Sequence, residues 1–179
     1  MRPSVFVSVG KSSARGFTLI ELMVTISILG VFALIALPSL QELFKNNRIA
    51  TQTNDVVSLL AFARAEAMRR GARVAICPSS DASTCDTSSG WGVGLMVYSD
   101  RNRDGDPSGE EVLRIMPALS GGNTMSASGF AGGYVQFRAS GIPTPSGSFK
   151  LCDDRPNQGR IIALSATGSI KTTKEVACP

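Results

Sequence analysis

Histidine is absent from this 179-residue sequence. It is the most common general base near neutral pH and the most common zinc ligand, so its absence argues against both kinds of site. A Ser-His-Asp triad cannot form, and the four cysteines include no C-x-x-C pair of the kind that zinc sites use. The formal net charge of +4 is too small to indicate nucleic-acid binding by itself. We therefore predict that the chain is not an enzyme.

A long apolar run stands near the N-terminus. Residues 17–37 read FTLIELMVTISILGVFALIAL and contain a single charged residue, Glu21. About 20 predominantly apolar residues are enough to span a bilayer. The preceding segment carries Arg2, Lys11 and Arg15, and basic residues of this kind stay on the cytoplasmic side. The sequence therefore predicts one span of the inner membrane, with a cytoplasmic N-terminus and a periplasmic C-terminal domain.

Two simpler interpretations of the apolar run fit less well. A secretory signal peptide is cut after its apolar region at a small-x-small site, and the end of this run, ALIALPSL, matches that pattern poorly. A plain membrane anchor leaves Glu21 unexplained, because a carboxylate inside a bilayer is costly and is functional by default. Any cut is expected before the apolar run, between Gly16 and Phe17.

The junction GFTLIEL at residues 16–22 resembles the leader junction of type IV pilins and of type II secretion pseudopilins. The resemblance implies that a prepilin peptidase cuts the chain after Gly16 and methylates the new N-terminal residue, Phe17. Glu21 then becomes the fifth residue of the mature chain, where its carboxylate can pair with the Phe17 amine of a neighbouring subunit. Such a subunit works by assembling with other major and minor pilins or pseudopilins into a filament.

The sequence divides into a leader (1–16), a membrane-spanning helix (17–37), an amphipathic continuation of that helix (38–71) and a β-rich periplasmic domain (72–179). The continuation has apolar residues at helical spacing and a glycine suited to a C-terminal cap: Val56, Leu59, Leu60, Ala63, Ala67 and Gly71. Beyond the helix, short alternating stretches bounded by glycine and polar residues predict strands. The predicted fold class is α+β, with one long helix packed on an antiparallel β-sheet.

Two stretches of the β-rich domain receive specific predictions. Residues 91–98 alternate, with Trp91, Val93, Leu95 and Val97 on one face, which is typical of a half-buried strand. Residues 120–133 are rich in glycine, serine and alanine, and we expect them to form a mobile loop.

The β-rich domain also resembles one branch of the pilin family. The resemblance rests on GWGVGL at 90–95, GSFKLCD at 147–153, and Gly159-Arg160 with the apolar residues that follow. These runs are similar to the GspH/FimT domain, whose members are minor pilins or pseudopilins. The resemblance implies the type IV pilin fold and a minor pilin, similar to FimT and FimU, in a pilus for motility, adhesion or DNA uptake. The alternative is an H-type minor pseudopilin of a type II secretion system.

The four cysteines, Cys77, Cys85, Cys152 and Cys178, all follow the apolar run. An even number of cysteines in an exported domain indicates disulfides, and four cysteines allow three pairings. We favour Cys77–Cys85, which closes a local loop, and Cys152–Cys178, which ties the C-terminus to a strand; the sequence leaves the pairing open.

A calcium-loop pattern occurs between residues 100 and 111. Asp100, Asn102, Asp104 and Glu111 occupy positions 1, 3, 5 and 12 of an EF-hand loop, with Gly105 at position 6. Strands rather than helices are predicted on both sides, and Asp, Asn and Gly also favour a hairpin turn. We expect a turn and no cofactor, with calcium as the alternative.

Basic residues cluster toward the C-terminus, at Arg138, Lys150, Arg155, Arg160, Lys171 and Lys174. Some FimT-type pilins bind DNA through a C-terminal Gly-Arg-x-Arg-like motif after a strand. The corresponding segment is GSIK at 168–171, in which serine and lysine replace the two arginines. Arg160, Lys171 and Lys174 are therefore candidate contacts to DNA, without base readout, and a solvated basic face is the simpler interpretation.

Overall fold

The computed structural model describes residues 16–107 and 110–178. Arg2, Lys11 and Arg15 of the predicted leader lie outside the described residues. The chain divides into two compact units, residues 1–42 and 43–179, and one helix contributes to both. This helix, α1, spans Leu19–Arg70.

Local interactions set the two ends of α1. The Thr18 Oγ1 accepts a hydrogen bond from the Glu21 N–H at 3.3 Å, so Thr18 caps one of the first free amides of the helix. At the other end, Gly71 adopts a φ of +62°, the left-handed conformation that commonly terminates helices and that glycine adopts without strain. The predicted helix and its cap are both present.

In the first unit, every described residue, 16–42, is exposed. By length and composition, α1 is apolar enough to cross a membrane. The hydroxyls of Thr25 and Ser27 donate to the carbonyls of Leu22 and Met23, each at 2.8 Å. Because the helix itself satisfies these polar groups, they can enter a bilayer at little cost.

The described residues of the second unit form nine strands in two antiparallel sheets. The strands are β1 (Arg73–Pro78), β2 (Leu95–Asp100), β3 (Val112–Met116), β4 (Thr124–Ser128), β5 (Val135–Phe137), β6 (Pro143–Thr144), β7 (Gly147–Cys152), β8 (Gly159–Leu164) and β9 (Ile170–Val176). One sheet has the order β3-β2-β1-β5-β6, and the other has the order β4-β7-β8-β9. Short 3-10 turns occupy Trp91–Val93 and Ala131–Gly133. The α+β class and the antiparallel pairing are confirmed, with two sheets in place of one.

One hydrophobic core joins α1 to both sheets. The predicted helical stripe is buried, and Ile49 and Thr53 extend it toward the N-terminus. The inner faces of the sheets contribute large buried side chains, including Phe137 from the first sheet and Phe149 from the second. The Trp91 ring lies 4.9 Å from the Phe149 ring in an edge-on arrangement. Burial of this stripe therefore fixes the C-terminal half of α1 against the domain.

Two disulfides cross-link this unit, in the pairing that the spacing favours. Cys77–Cys85 joins residues eight apart, and Cys152–Cys178 joins residues 26 apart. Cys77 lies in a second apolar cluster on the other face of the first sheet, with Ala75, Met96 and Tyr98. The loop closed by Cys77–Cys85 therefore helps to cover that face.

The predicted strand over residues 91–98 is wrong in its start and in its burial. Trp91–Val93 is a 3-10 turn, and β2 begins at Leu95. Gly94 has a φ of +123°, and a Cβ there would lie 2.7 Å from the Ser79 carbonyl oxygen, so the chain turns at this glycine before the strand starts. All six residues of β2 are buried, because β2 lies between β1 and β3 and both of its faces are covered.

The predicted mobile loop over residues 120–133 is also wrong in its centre. Residues 124–128 form β4, which pairs with β7 from Thr124 opposite Cys152 to Ser128 opposite Ser148. Met125 is buried and Ala127 packs against the core, so two apolar side chains are enough to attach this edge strand to the core. The surrounding polar residues hide this short alternation in the sequence.

A matched pair of substitutions tests which residues form the core. Ile76, 1% exposed, and Ile115, 53% exposed, both lie on strands of the first sheet. We expect Ile76→Ala to reduce the free energy of unfolding by about 2–5 kcal/mol, because it leaves a cavity, and Ile115→Ala to cost much less. Urea denaturation of the full chain in nonionic detergent, followed by the fluorescence of Trp91, measures both. Equal losses would contradict this description of the core.

Candidate functional site

Glu21 is the unusual group of the N-terminal helix. It lies in the first turn of α1, where the helix dipole favours a carboxylate. Within residues 16–107 and 110–178, its carboxylate has no hydrogen bond or ion pair, and the surrounding apolar side chains are exposed. A charge in this setting needs a cation from beyond the described residues once the helix enters an apolar environment.

Gly16 and Phe17 precede α1 in irregular, exposed backbone, and Phe17 is 82% exposed. A peptidase needs accessible backbone, and residues 16 and 17 are exposed immediately before the helix begins. An amine created at Phe17 would lie four residues before Glu21, which is about one helical turn along the chain.

Sequence reasoning missed the role of Thr18. The run Thr18-Leu19-Ile20-Glu21 matches the S/T-x-x-E pattern that marks a helix start, and the structure forms one half of that capping box, in which Thr18 accepts a hydrogen bond from the Glu21 N–H. The cap places the start of α1 directly after the proposed cleavage point and puts Glu21 in the first turn.

The loop that follows β2 forms a self-contained turn. The Asn102 Nδ2 donates to the Asp104 Oδ2 at 2.7 Å, and the Asp106 N–H donates to the Asp104 Oδ1 at 2.8 Å. Asp100 is buried and accepts a hydrogen bond from the side-chain amide of Gln136. Glu111 pairs with Arg70, so the structure does not bring it to Asp100 and Asp104. No three Asp, Glu or Cys side chains among the described residues are grouped to hold a metal.

The three candidate DNA contacts lie on two faces of the second sheet. Arg160 and Lys174 are register partners on β8 and β9, whereas Lys171 is opposite Ala163. Residues three apart on a strand point to opposite faces, so Lys171 faces away from the other two. Arg160 and Lys174 line a small groove beside α1. The structure therefore brings together two of the three residues.

Arginine–carboxylate contacts tie the end of α1 to β3. Glu66 accepts hydrogen bonds from Arg69 and Arg70, each with a shortest distance of 2.7 Å, and Arg70 also donates to Glu111 at 2.6 Å. The bonds from Arg69 and Arg70 lower the pKa of Glu66 to about 2, and the bond from Arg70 lowers the pKa of Glu111. This network holds the helix end in place next to the first sheet.

The N-terminal part of α1 is exposed and apolar, with the carboxylate of Glu21 in its first turn, and the helix continues into a domain of two sheets. This combination defines a protein of the type IV pilin class. The family model described as Type II transport protein GspH matches residues 52–168, and the prokaryotic N-terminal methylation motif matches residues 11–37. The chain belongs to the GspH family, whose members are structural, non-enzymatic minor pilins or pseudopilins of type IV pili or type II secretion.

Solved structures with the same fold come from both systems. The type IV minor pilin FimU of Pseudomonas aeruginosa PAO1 superposes with a TM-score of 0.59 at 21% identity, over 75% of this chain and 95% of FimU. The minor pseudopilin EpsH of the Vibrio cholerae type II secretion system superposes with a TM-score of 0.53 at 11% identity, over 71% of this chain and 97% of EpsH. These similarities confirm the predicted type IV pilin fold.

The Glu66 network predicts a loss of stability in acid. The pKa of Glu66 is lower in the folded chain than its usual value of about 4.5, so its contribution is complete above pH 4.5 and is lost as the pH falls toward 2. We expect Glu66→Gln to reduce the slope of unfolding free energy against pH in this window. Urea denaturation of the parent chain and the variant at several pH values gives both slopes, and an unaltered slope in Glu66→Gln would contradict the assignment.

The loop after β2 is expected to be indifferent to calcium, because its Asp104 and Glu111 are already bonded to Asn102 and Arg70. Calcium up to millimolar concentration should leave the melting temperature of the purified chain unchanged. A saturable rise in melting temperature that Asp104→Asn abolishes would instead support the calcium interpretation.

Proposed function

We propose that this chain is a minor pilin that enters a type IV pilus through its N-terminal helix. The leader is removed after Gly16, Phe17 is methylated, and the helix crosses the inner membrane with the N-terminus cytoplasmic. The domain faces the periplasm until the subunit moves into the filament. The partners are the prepilin peptidase and other major and minor pilins.

The observation that carries this proposal is the carboxylate of Glu21, which has no partner among residues 16–107 and 110–178 and lies in an exposed apolar helix. In a filament, helices of neighbouring subunits pack side by side and exclude water. The Phe17 amine of one subunit can then pair with Glu21 of another, and a charge pair in an apolar setting is far stronger than one in water. Because only one axial offset brings the two groups together, the pair also sets the register between subunits.

Small residues support close approach between such helices. A Cβ at Gly30 would meet no atom within 4 Å, so this face of α1 is open to a neighbour. Ala33 lies one turn further along. Gly and Ala at this spacing allow two helix backbones to approach closely, and van der Waals contact then stabilises the pair.

The choice of a pilus over a pseudopilus rests on the resemblance of the sequence to FimT-type pilins. The two disulfides fit either filament, because the periplasm and the extracellular medium are both oxidising. A minor pseudopilin of type II secretion is the second candidate, and the description of the matching family model favours it. DNA stays outside the proposal, because Lys171 faces away from Arg160 and Lys174.

A matched pair of isosteric substitutions tests the role of Glu21. We expect Glu21→Gln to reduce incorporation into purified filaments by about tenfold or more, because the neighbour's amine then lacks its carboxylate. Asp55→Asn removes the same charge from the exposed domain part of α1 and should leave incorporation unchanged. Immunoblots of sheared filaments against membrane fractions measure the ratio.

Normal incorporation of Glu21→Gln at an equal membrane level would contradict the proposed pairing. Parallel deletion of a pilus or a secretion component then assigns the system: loss of this protein from filaments only in the pilus mutant supports the pilus, and loss only in the secretion mutant supports the second candidate.

A further inference from the structure

Four arginines meet at one end of the first sheet, outside every site described above. Arg73 begins β1, Arg101 directly follows β2, and Arg138 directly follows β5. Because β1 lies between β2 and β5 and is antiparallel to both, these three positions reach the same end of the sheet. Arg103 joins them from the turn after β2. Together they line an open cavity of about 670 Å³, which we call the arginine cleft.

The arginines of the cleft have little compensation from the described residues. The side chains of Arg101, Arg103 and Arg138 make no hydrogen bond or ion pair with any residue in 16–107 or 110–178, and Arg73 donates only to the Gln136 Oε1, at 3.2 Å. The rest of the cleft is lined by glycine, alanine and serine, without a carboxylate. Four like charges around one concavity repel one another unless an anion is supplied.

Three nearby carboxylates already have partners. Asp100 is fully buried, lies opposite Arg73 in the strand register and accepts a hydrogen bond from Gln136. Asp104 is held by Asn102 and by the backbone of its own turn, and Glu111 pairs with Arg70, with a smaller electrostatic attraction to Arg101. Arg69 and Arg70 lie in the last turn of α1, where the helix dipole favours cations. The cleft arginines that follow β2 and β5 are not at a helix end, so the helix dipole does not explain their presence.

The shape of the cleft restricts its ligand. A cavity of this volume accepts an object the size of a small ligand or a few peptide residues. A DNA duplex is a rod too wide to enter such a concavity. Among the described residues, no aromatic side chain lines the cleft, so these residues provide no stacking platform of the kind that single-stranded nucleic acids use. Guanidinium groups bind carboxylates in a two-point geometry, as Arg70 already does with Glu111 through two nitrogens.

We infer that the arginine cleft receives an acidic peptide segment from a neighbouring subunit of the filament. The identity of the donor as a filament subunit rests on the proposed function, whereas the chemistry of the cleft does not. Exposed arginine–carboxylate pairs are individually weak. A filament neighbour is held beside the cleft at a high effective concentration, so a few such pairs are enough to orient one domain against the next.

A labelled hexaglutamate peptide is the probe, and fluorescence anisotropy with the full chain in nonionic detergent is the measurement. We expect saturable binding that high salt weakens, and no binding of hexaglutamine. Arg101→Gln with Arg103→Gln should weaken binding at least about fivefold. Arg138→Gln should weaken it independently. All three residues are exposed, and an unchanged melting temperature verifies that each variant is folded.

The matched control is Lys171→Gln with Lys174→Gln, which removes the same charge from β9 and should change binding by less than about twofold. Equal weakening in both double variants, or no binding of hexaglutamate, would overturn the inference. Tighter, arginine-dependent binding of pyrophosphate or of a DNA duplex would also overturn it, in favour of a phosphate ligand. Since the assay involves no assembly, its failure is distinct from a failure of Glu21→Gln to affect incorporation.

Discussion

The proposed assembly depends on one constraint, the need of the Glu21 carboxylate for a cation in an apolar environment. This carboxylate is the one charge in residues 17–37, and its surroundings in a bilayer or a helical bundle offer it no water. The cost of burying it is offset if a second subunit supplies a cation, and in the proposed function the amine released by cleavage before Phe17 is that cation. Processing and assembly are thereby linked in one interaction: before the leader is removed, the amine does not exist.

The β-rich domain must keep the same structure when the N-terminal part of α1 passes from the bilayer into the filament. Its core joins the buried stripe of α1 to the inner faces of two sheets, and two disulfides hold a covering loop and the C-terminus. The Arg70 contact with Glu111 connects the helix end to the residue before β3, and Glu66 on α1 also pairs with Arg70. A rigid domain of this kind can present the same surface, including the arginine cleft, to each neighbour.

The sequence predicts the helix better than the sheets, for physical reasons. The stripe from Val56 to Ala67 repeats at the helical period over several turns, and Gly71 marks its end. β4 has only Met125 and Ala127 as apolar residues and depends on pairing with β7 to form a strand. The turn at Gly94 depends on a close approach to the Ser79 carbonyl, which no local pattern reveals. The arginine cleft is equally hidden, because its members lie far apart in sequence and meet through the order of strands.

The intact mass and N-terminal sequence of the protein extracted from membranes test the proposed processing most directly. We expect a chain that begins at N-methylated Phe17 and is four hydrogens lighter than the reduced form, because two disulfides are present. A chain that keeps its leader, or one that is cut after residue 37, would contradict the proposed processing. The free amine would then be absent or misplaced, and Glu21 would have no partner of the proposed kind.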